Sequence, residues 1–345
     1  MIVRTNVKLN LGLSVLRKRP DGYHDIETLF IPCHEFGDTL EIITGDDYSR
    51  TSAALFGKYG SNIVQGISED GKLMITIARE EGVDWDPLKD LCARAYMLLD
   101  NDFHLPPVKI FLEKTAPVGA GLGGGSADAA FTLKALNELC ALGLSDQKLS
   151  DYASKLGSDC AFFIWNRPMI GTGRGEILEP FDIDLSGYDI KVLVSEGVSV
   201  STAEAYGGIV PRFPVSADST SEANNGSFNQ LRLTQEVVKG KGAKTAATLG
   251  TLRGGTGAER SDASGGVERS ETVLASLPLE DRSIKDILKR PVEEWKDVLV
   301  NDFEVTVFKT HPELEAIKRS LYDSGAVYAS MSGSGSAIFA IYKKQ

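Results

Sequence analysis

Basic charge is in short supply here: 37 Lys and Arg stand against 48 Asp and Glu, for a net charge of −11. Nucleic acids and anionic membrane surfaces are recognised through a basic excess, so neither is an expected partner. Histidine and cysteine are scarce too, with four of each. No CxxC or His-x-x-His spacing occurs among them, which argues against a protein-built zinc site. Cys33, Cys92, Cys140 and Cys160 read as reduced, mostly buried thiols of a cytosolic protein. No apolar run approaches a membrane span, and Met1 leads into strand-like sequence without a leader pattern. A soluble, cytoplasmic chain is expected, monomeric or homodimeric, and 345 residues suggest two domains.

Glycine is plentiful, and its densest patch is Pro117-Val118-Gly119-Ala120-Gly121-Leu122-Gly123-Gly124-Gly125-Ser126. The β-branched and apolar run Val108–Leu112 precedes it as a strand. Ala129, Leu133, Leu136 and Cys140 follow at helical spacing, with Gly143 as a stop signal. Strand, glycine loop and helix start make an anion site, because bare backbone N–H groups and the positive helix end converge on it. No GK[ST] follows, so the P-loop pattern is absent. Gly119, Gly121 and Gly124 satisfy G-x-G-x-x-G, but a dinucleotide fold needs a second strand ending in an acid. The polar, helical LSDQKLSDYASKLG stands there instead. A nucleotide-phosphate loop is the leading reading, with a dinucleotide site and a purely structural loop as the rivals.

Elsewhere, Val7 to Val15 alternates with period two, predicting a half-buried strand whose second face carries Lys8, Asn10, Gly12 and Ser14. Lys8 there is either simply exposed or turned toward a ligand. After the turn Pro20-Asp21-Gly22, Tyr23 and His24 either start a strand or offer a ring and two nitrogens to a planar base. Gly37-Asp38 reads as a hairpin-like break, and Leu91–Leu99 as a helix started by Asp86-Pro87. Asp159, between a glycine turn and the apolar run Ala161–Trp165, is either a cap or an acid facing a site. Gly171–Glu176 predicts a hairpin, Ile190–Val194 a strand, and Pro312–Tyr322 a helix. Ala326–Tyr342 predicts two strands around a Ser-Gly-Ser-Gly-Ser turn, which is either an ordinary hairpin or a second contributor to the phosphate site. Residues from about 216 to 282 nearly lack aromatics, show no periodicity and read as a loosely held insertion.

Three stretches together resemble the GHMP kinase superfamily: KLNLGLSVLRKRPDGYHDIETLF, APVGAGLGGGSADAA and MSGSGSAIFAIY. With GSDCAFF, the likeness spans nearly the whole chain outside the insertion. The resemblance implies an α+β fold of two domains, residues 1–165 and 166–345. The first would be like the second domain of ribosomal protein S5, and the second ferredoxin-like. It also implies ATP and Mg²⁺ as cofactors, and transfer of the γ-phosphoryl group to the 2-hydroxyl of a cytidine-diphosphate-linked methylerythritol. Residue by residue, Asp159 matches the family's catalytic aspartate and Lys8 the lysine beside it. Asn10 matches an asparagine near the methylerythritol end, and Tyr23 and His24 the pair on the cytosine. Thr202 and Tyr206 match a threonine and second aromatic flanking the base. Pro117 through Ser126 match the ATP phosphate loop, with Ser126 as a Mg²⁺ ligand. Asp90 stands where the family commonly has an asparagine. Another small-molecule kinase of the superfamily, of homoserine or mevalonate type, is the near rival, and a non-catalytic nucleotide-binding regulator or a dehydrogenase the distant ones.

Overall fold

The computed structural model describes residues 1–45, 47–195, 197–212 and 283–344. The predicted insertion at 216–282 lies outside the described residues. In chain order the strands are β1 (Ile2–Arg4), β2 (Val7–Lys18), β3 (His24–Cys33), β4 (Thr39–Thr44), β5 (Ile63–Ile67), β6 (Leu73–Arg79), β7 (Val108–Lys114), β8 (Met169–Thr172), β9 (Ile177–Pro180), β10 (Tyr188–Leu193), β11 (Tyr328–Met331) and β12 (Ile338–Lys343). The helices are α1 (Ser52–Tyr59), α2 (Leu91–Phe103), α3 (Gly124–Leu139), α4 (Asp146–Leu156), α5 (Cys160–Trp165), α6 (Thr202–Tyr206), α7 (Ile284–Ile287), α8 (Glu304–Thr310) and α9 (Pro312–Asp323).

Among the described residues the strands form three sheets. One runs β1-β4-β7-β6-β5, antiparallel except for the parallel pair β6/β7. Its face buries Ile42, Ile75, Ile77, Ile110 and Leu112 against Tyr96 and Leu99 of α2, Leu133 and Leu136 of α3, and Phe162 of α5. The helical periodicity read for α3 is this buried face. A second, antiparallel sheet runs β2-β3-β8-β9. A third, β10-β12-β11, is backed by α8 and α9 through Val307, Leu314 and Leu321. β2 binds these layers together, with Leu9 and Leu11 packed with Trp295, Tyr328 and Phe339, and Val15 packed with Phe303 and Ala329.

Several expectations change. Val7–Val15 is buried on both faces rather than one, because the polar residues of β2 look onto other parts of the protein instead of water. Gly37-Asp38 is not a hairpin turn: β3 and β4 belong to different sheets, and the chain crosses between them there. A Cβ on Gly37 would collide with the Thr5 carbonyl, so this crossing requires glycine. Asp86-Pro87 opens only a short 3₁₀ turn, and Asp90 caps α2 itself, its carboxylate accepting from Cys92 N at 2.9 Å. Gly124, Gly125 and Ser126 belong to α3, which shortens the glycine loop. β8 and β9 lie beyond residue 165 yet complete the sheet begun by β2 and β3, so a division between 165 and 166 would cut a sheet.

Candidate active site

The glycine loop lines a cavity of about 750 Å³ that also receives Lys8, Asn10, Asp159 and the aromatic residues after β2. Gly119, Gly121 and Gly123 all take positive φ, 73° to 74°, which lets the backbone fold tightly and end at the N-terminus of α3. The second glycine-rich turn, Ser332–Ser336, lies directly against the first. Ala337 N donates to the Ala120 carbonyl at 3.0 Å, Ser332 Oγ donates to the Gly121 carbonyl at 3.3 Å, and a Cβ on Gly121 would collide with the Ser332 carbonyl. Gly333 and Ser334 form part of the cavity wall. The turn is the hairpin connection between the antiparallel strands β11 and β12, and it also borders this cavity.

Lys8 and Asp159 meet across this cavity, Nζ to Oδ2 at 3.5 Å. Lys8 is 3% exposed on β2, donating to the Gly121 carbonyl at 2.8 Å and to Asn10 Oδ1. Burial pulls its pKa below the ordinary lysine value, and Asp159 only partly offsets that pull. Asp159 occupies the position before α5, makes no capping bond with its side chain, and is 31% exposed. It thus holds the N-cap position without capping, and its carboxylate lines the cavity beside Lys8. A Cβ on Gly175, in the β8–β9 turn, would stand 3.8 Å from Asp159 Oδ1. Asn10 is held by Thr28 Oγ1, to which its Nδ2 donates at 3.1 Å.

The aromatic end is arranged differently from a simple Tyr23–His24 pair. His24 stacks on Tyr206 of α6, with centroids 4.5 Å apart and planes 15° from parallel. Tyr23 is 55% exposed, and its ring faces the Arg174 guanidinium at 5.0 Å. Burial, then the charge of Lys18, lowers the His24 pKa, which favours the neutral ring. Burial and the Asp159 charge push the Tyr206 hydroxyl up to about 12. Thr202 is exposed at the start of α6 and also lines the cavity. The basic turn is largely neutralised by its own acids: Arg17 pairs with Asp25, and Arg19 with both Asp21 and Asp25.

Sequence reasoning missed three features of this site. Lys114, at the end of β7, is 5% exposed and bridges Asp38 Oδ2 at 2.5 Å and Asp128 Oδ2 at 2.6 Å. Asp38 Oδ1 also accepts from Thr115 N and Ala116 N, so the cluster ties the entry of the glycine loop to the first turns of α3. Burial pulls the Lys114 pKa down, but the two carboxylates outweigh it and hold it above its ordinary value. Burial pushes the Asp128 pKa above the ordinary carboxylate range, while the Lys114 charge pulls it back down. Arg174 is the second feature. Its alternation-free hairpin carried no signal beyond a basic residue between glycines. Asn301, third, donates from Nδ2 to the Met331 and Gly333 carbonyls, both at 2.8 Å. Asp90 differs from the family's asparagine, and here it accepts from the Trp85 indole at 3.1 Å as well as capping α2.

This fold and cleft are those of a GHMP kinase. The family model for the GHMP kinases N terminal domain matches residues 90–167, and that for the GHMP kinases C terminal matches residues 283–345. A 4-diphosphocytidyl-2-C-methyl-D-erythritol kinase of Bacteroides fragilis is 37% identical over 345 residues, covering 100% of this chain and 93% of the relative. Its counterpart from Bacteroides thetaiotaomicron is 38% identical with the same coverage. A crystal structure of 4-(cytidine 5'-diphospho)-2C-methyl-D-erythritol kinase superposes with a TM-score of 0.59 at 25% identity, covering 99% of this chain and 89% of that one. The chain belongs to the family of 4-diphosphocytidyl-2-C-methyl-D-erythritol kinases. It is an ATP-using small-molecule kinase of α+β fold. Among the described residues, no helix is long and apolar enough to cross a membrane.

Proposed function

We propose that this chain phosphorylates the 2-hydroxyl of 4-diphosphocytidyl-2-C-methyl-D-erythritol with ATP, as a cytoplasmic step of the non-mevalonate isoprenoid pathway. The observation that carries the chemistry is the Lys8–Asp159 pair, 3.5 Å apart beside a glycine-built anion loop whose Gly121 carbonyl Lys8 contacts at 2.8 Å. Phosphoryl transfer passes through a loose transition state, so positioning and charge neutralisation contribute more than a strong base. Backbone N–H groups from Val118 to Gly125, at the start of α3, hold the nucleotide phosphates. Asp159 orients the acceptor hydroxyl and takes its proton, and Lys8 neutralises charge developing on the transferred group. Asn10, locked by Lys8 and Thr28, holds the acceptor's polyol end. Tyr23, His24, Thr202 and Tyr206 form the cytosine end. His24 and Tyr206 already stack on each other, so the base takes the outer face or parts the pair.

Mg²⁺ suits the donors present. It is held by a few protein oxygens plus phosphates and water, not by a cage. Ser126 supplies a half-buried hydroxyl in the first turn of α3, on the cavity wall. With nucleotide bound, the ion would neutralise phosphate charge there. The catalytic unit is proposed to run through β9, with the C-terminal unit following.

A coupled ATP-consumption assay against the cytidylyl methylerythritol, mevalonate and homoserine tests the reading. Turnover with the first alone supports it. Turnover only with mevalonate or homoserine, or with none of the three, overturns it.

A further inference from the structure

One four-residue segment, Asn301-Asp302-Phe303-Glu304, touches both ends of the cavity. Its anchor is β2, the strand that carries Lys8 and Asn10. Leu13 N donates to the Val300 carbonyl at 2.9 Å, Asp302 N donates to the Leu13 carbonyl at 2.8 Å, and Val15 N donates to Asp302 Oδ2 at 2.7 Å. From that anchor, both N–H groups of the Asn301 amide reach the carbonyls of Met331 and Gly333 at 2.8 Å. The amide oxygen is occupied as well, accepting from Phe303 N at 3.0 Å. Asn301 is 1% exposed, and its whole hydrogen-bonding capacity on nitrogen is spent on the second glycine turn. Glu304 Oε1 adds bonds from Met331 N at 2.8 Å and Ser330 Oγ at 3.1 Å. This turn abuts Lys8: a Cβ on Gly333 would stand 3.1 Å from Nζ. Two residues after Asn301, Phe303 meets the Tyr206 ring edge-on at 4.7 Å, and Tyr206 in turn stacks on His24.

We propose that Asn301–Glu304 is the positioning element of this site, with Asn301 setting the second glycine turn around the transferring phosphate and Phe303 setting the aromatic wall for the base. The proposal rests on the cytidylyl kinase reading. Neither residue is catalytic, since each acts through another group. A turn displaced by an ångström at a phosphoryl-transfer site costs rate, whereas a loosened aromatic wall costs substrate affinity. The two ends of one segment therefore have opposite kinetic signatures, which general weakening of the fold would not produce.

The test compares Asn301→Ala and Phe303→Leu with the full-length parent in steady-state assays with ATP and the cytidylyl substrate, alongside thermal melts. Asn301→Ala is expected to lower kcat about thirtyfold, leaving KM for the cytidylyl substrate within about threefold. Phe303→Leu is expected to raise that KM about fivefold, leaving kcat within about twofold. If Asn301→Ala does not fold, Asn301→Ser, which keeps one donor, replaces it with an expected kcat loss of about fivefold. Should both variants shift kcat and KM in equal proportion, or neither shift either, the positioning role is overturned while the kinase reading stands. A parent enzyme that transfers nothing to the cytidylyl substrate overturns the kinase reading, and this role with it.

Discussion

Two buried lysines lie at this site in opposite circumstances. Lys8 is 3% exposed and faces a single carboxylate, 31% exposed, across 3.5 Å. Lys114 is 5% exposed and is clasped by two carboxylates that are 0% and 1% exposed, at 2.5 and 2.6 Å. Burial acts on both, but it prevails at Lys8, whose pKa falls, and loses to Asp128 and Asp38 at Lys114, whose pKa rises. A lysine with one loose partner retains charge to give an incoming anion. A lysine with two close partners has none to spare and serves to tie chain segments together. Type and burial alike would have grouped them, and only the count and distance of partners separates the phosphate's lysine from the fold's.

The largest effect that would sharpen this contrast lies at Asp159. Asp159→Asn removes a proton acceptor from the reacting hydroxyl, and kcat should fall about 10²- to 10⁴-fold in steady-state assays. Its melting temperature should fall only modestly, since the carboxylate caps nothing and buried Lys8 loses its one partly hydrated partner. A fast Asp159→Asn enzyme would break the assignment.

Lys114→Met and Lys8→Met should then diverge in stability. Removing Lys114 strands two buried acids and should cost roughly 3–5 kcal/mol, read by urea unfolding. Removing Lys8 leaves one partly hydrated carboxylate and should cost about 1 kcal/mol or less, while kcat drops at least about a hundredfold. Equal losses of stability would erase the distinction.

The pH dependence follows from the same contrast. Lys8 works protonated, so activity should decline as pH rises through its folded pKa, which burial holds below the ordinary lysine value. Because that value is lowered, the loss begins at a lower pH than for an exposed lysine. Lys8→Arg should move the basic limb upward, at whatever residual rate its geometry allows, because guanidinium keeps its proton. An unmoved limb would assign the titration to another group.

A smaller effect than these is expected at the exposed aromatic. Tyr23→Ala should raise KM for the cytidylyl substrate about tenfold and leave KM for ATP within about twofold, by initial rates.

Much of this was legible in the chain because it is local. Strand, glycine loop and helix are contiguous from Val108 to Leu139, so period and punctuation suffice to place them. The pairing of Lys8 with Asp159 spans 151 positions by numbering, and no periodicity links them; the family resemblance put the two together. The Lys114 cluster was invisible for the same reason, since Asp38 lies 76 residues away and an ion cluster has no repeat. Asn301 reaches carbonyls 30 and 32 residues on, through an amide that any exposed asparagine would also carry. Alternation along β2 suggested a wet face and found a dry one, because the polar side chains there turn inward on a site. The α1, β5 and β6 stretch went unread, being short elements with weak periodicity.

The account rests on one spatial claim, that the triphosphate sits in the glycine cradle with its terminal phosphorus presented to Lys8 and Asp159. A crystal structure with a non-hydrolysable ATP analogue and the cytidylyl substrate measures it directly. The predicted result places the acceptor 2-hydroxyl within about 3.2 Å of the Asp159 carboxylate, on the side facing the terminal phosphate. A triphosphate bound away from residues 117–126, or an acceptor hydroxyl remote from Asp159, would contradict it.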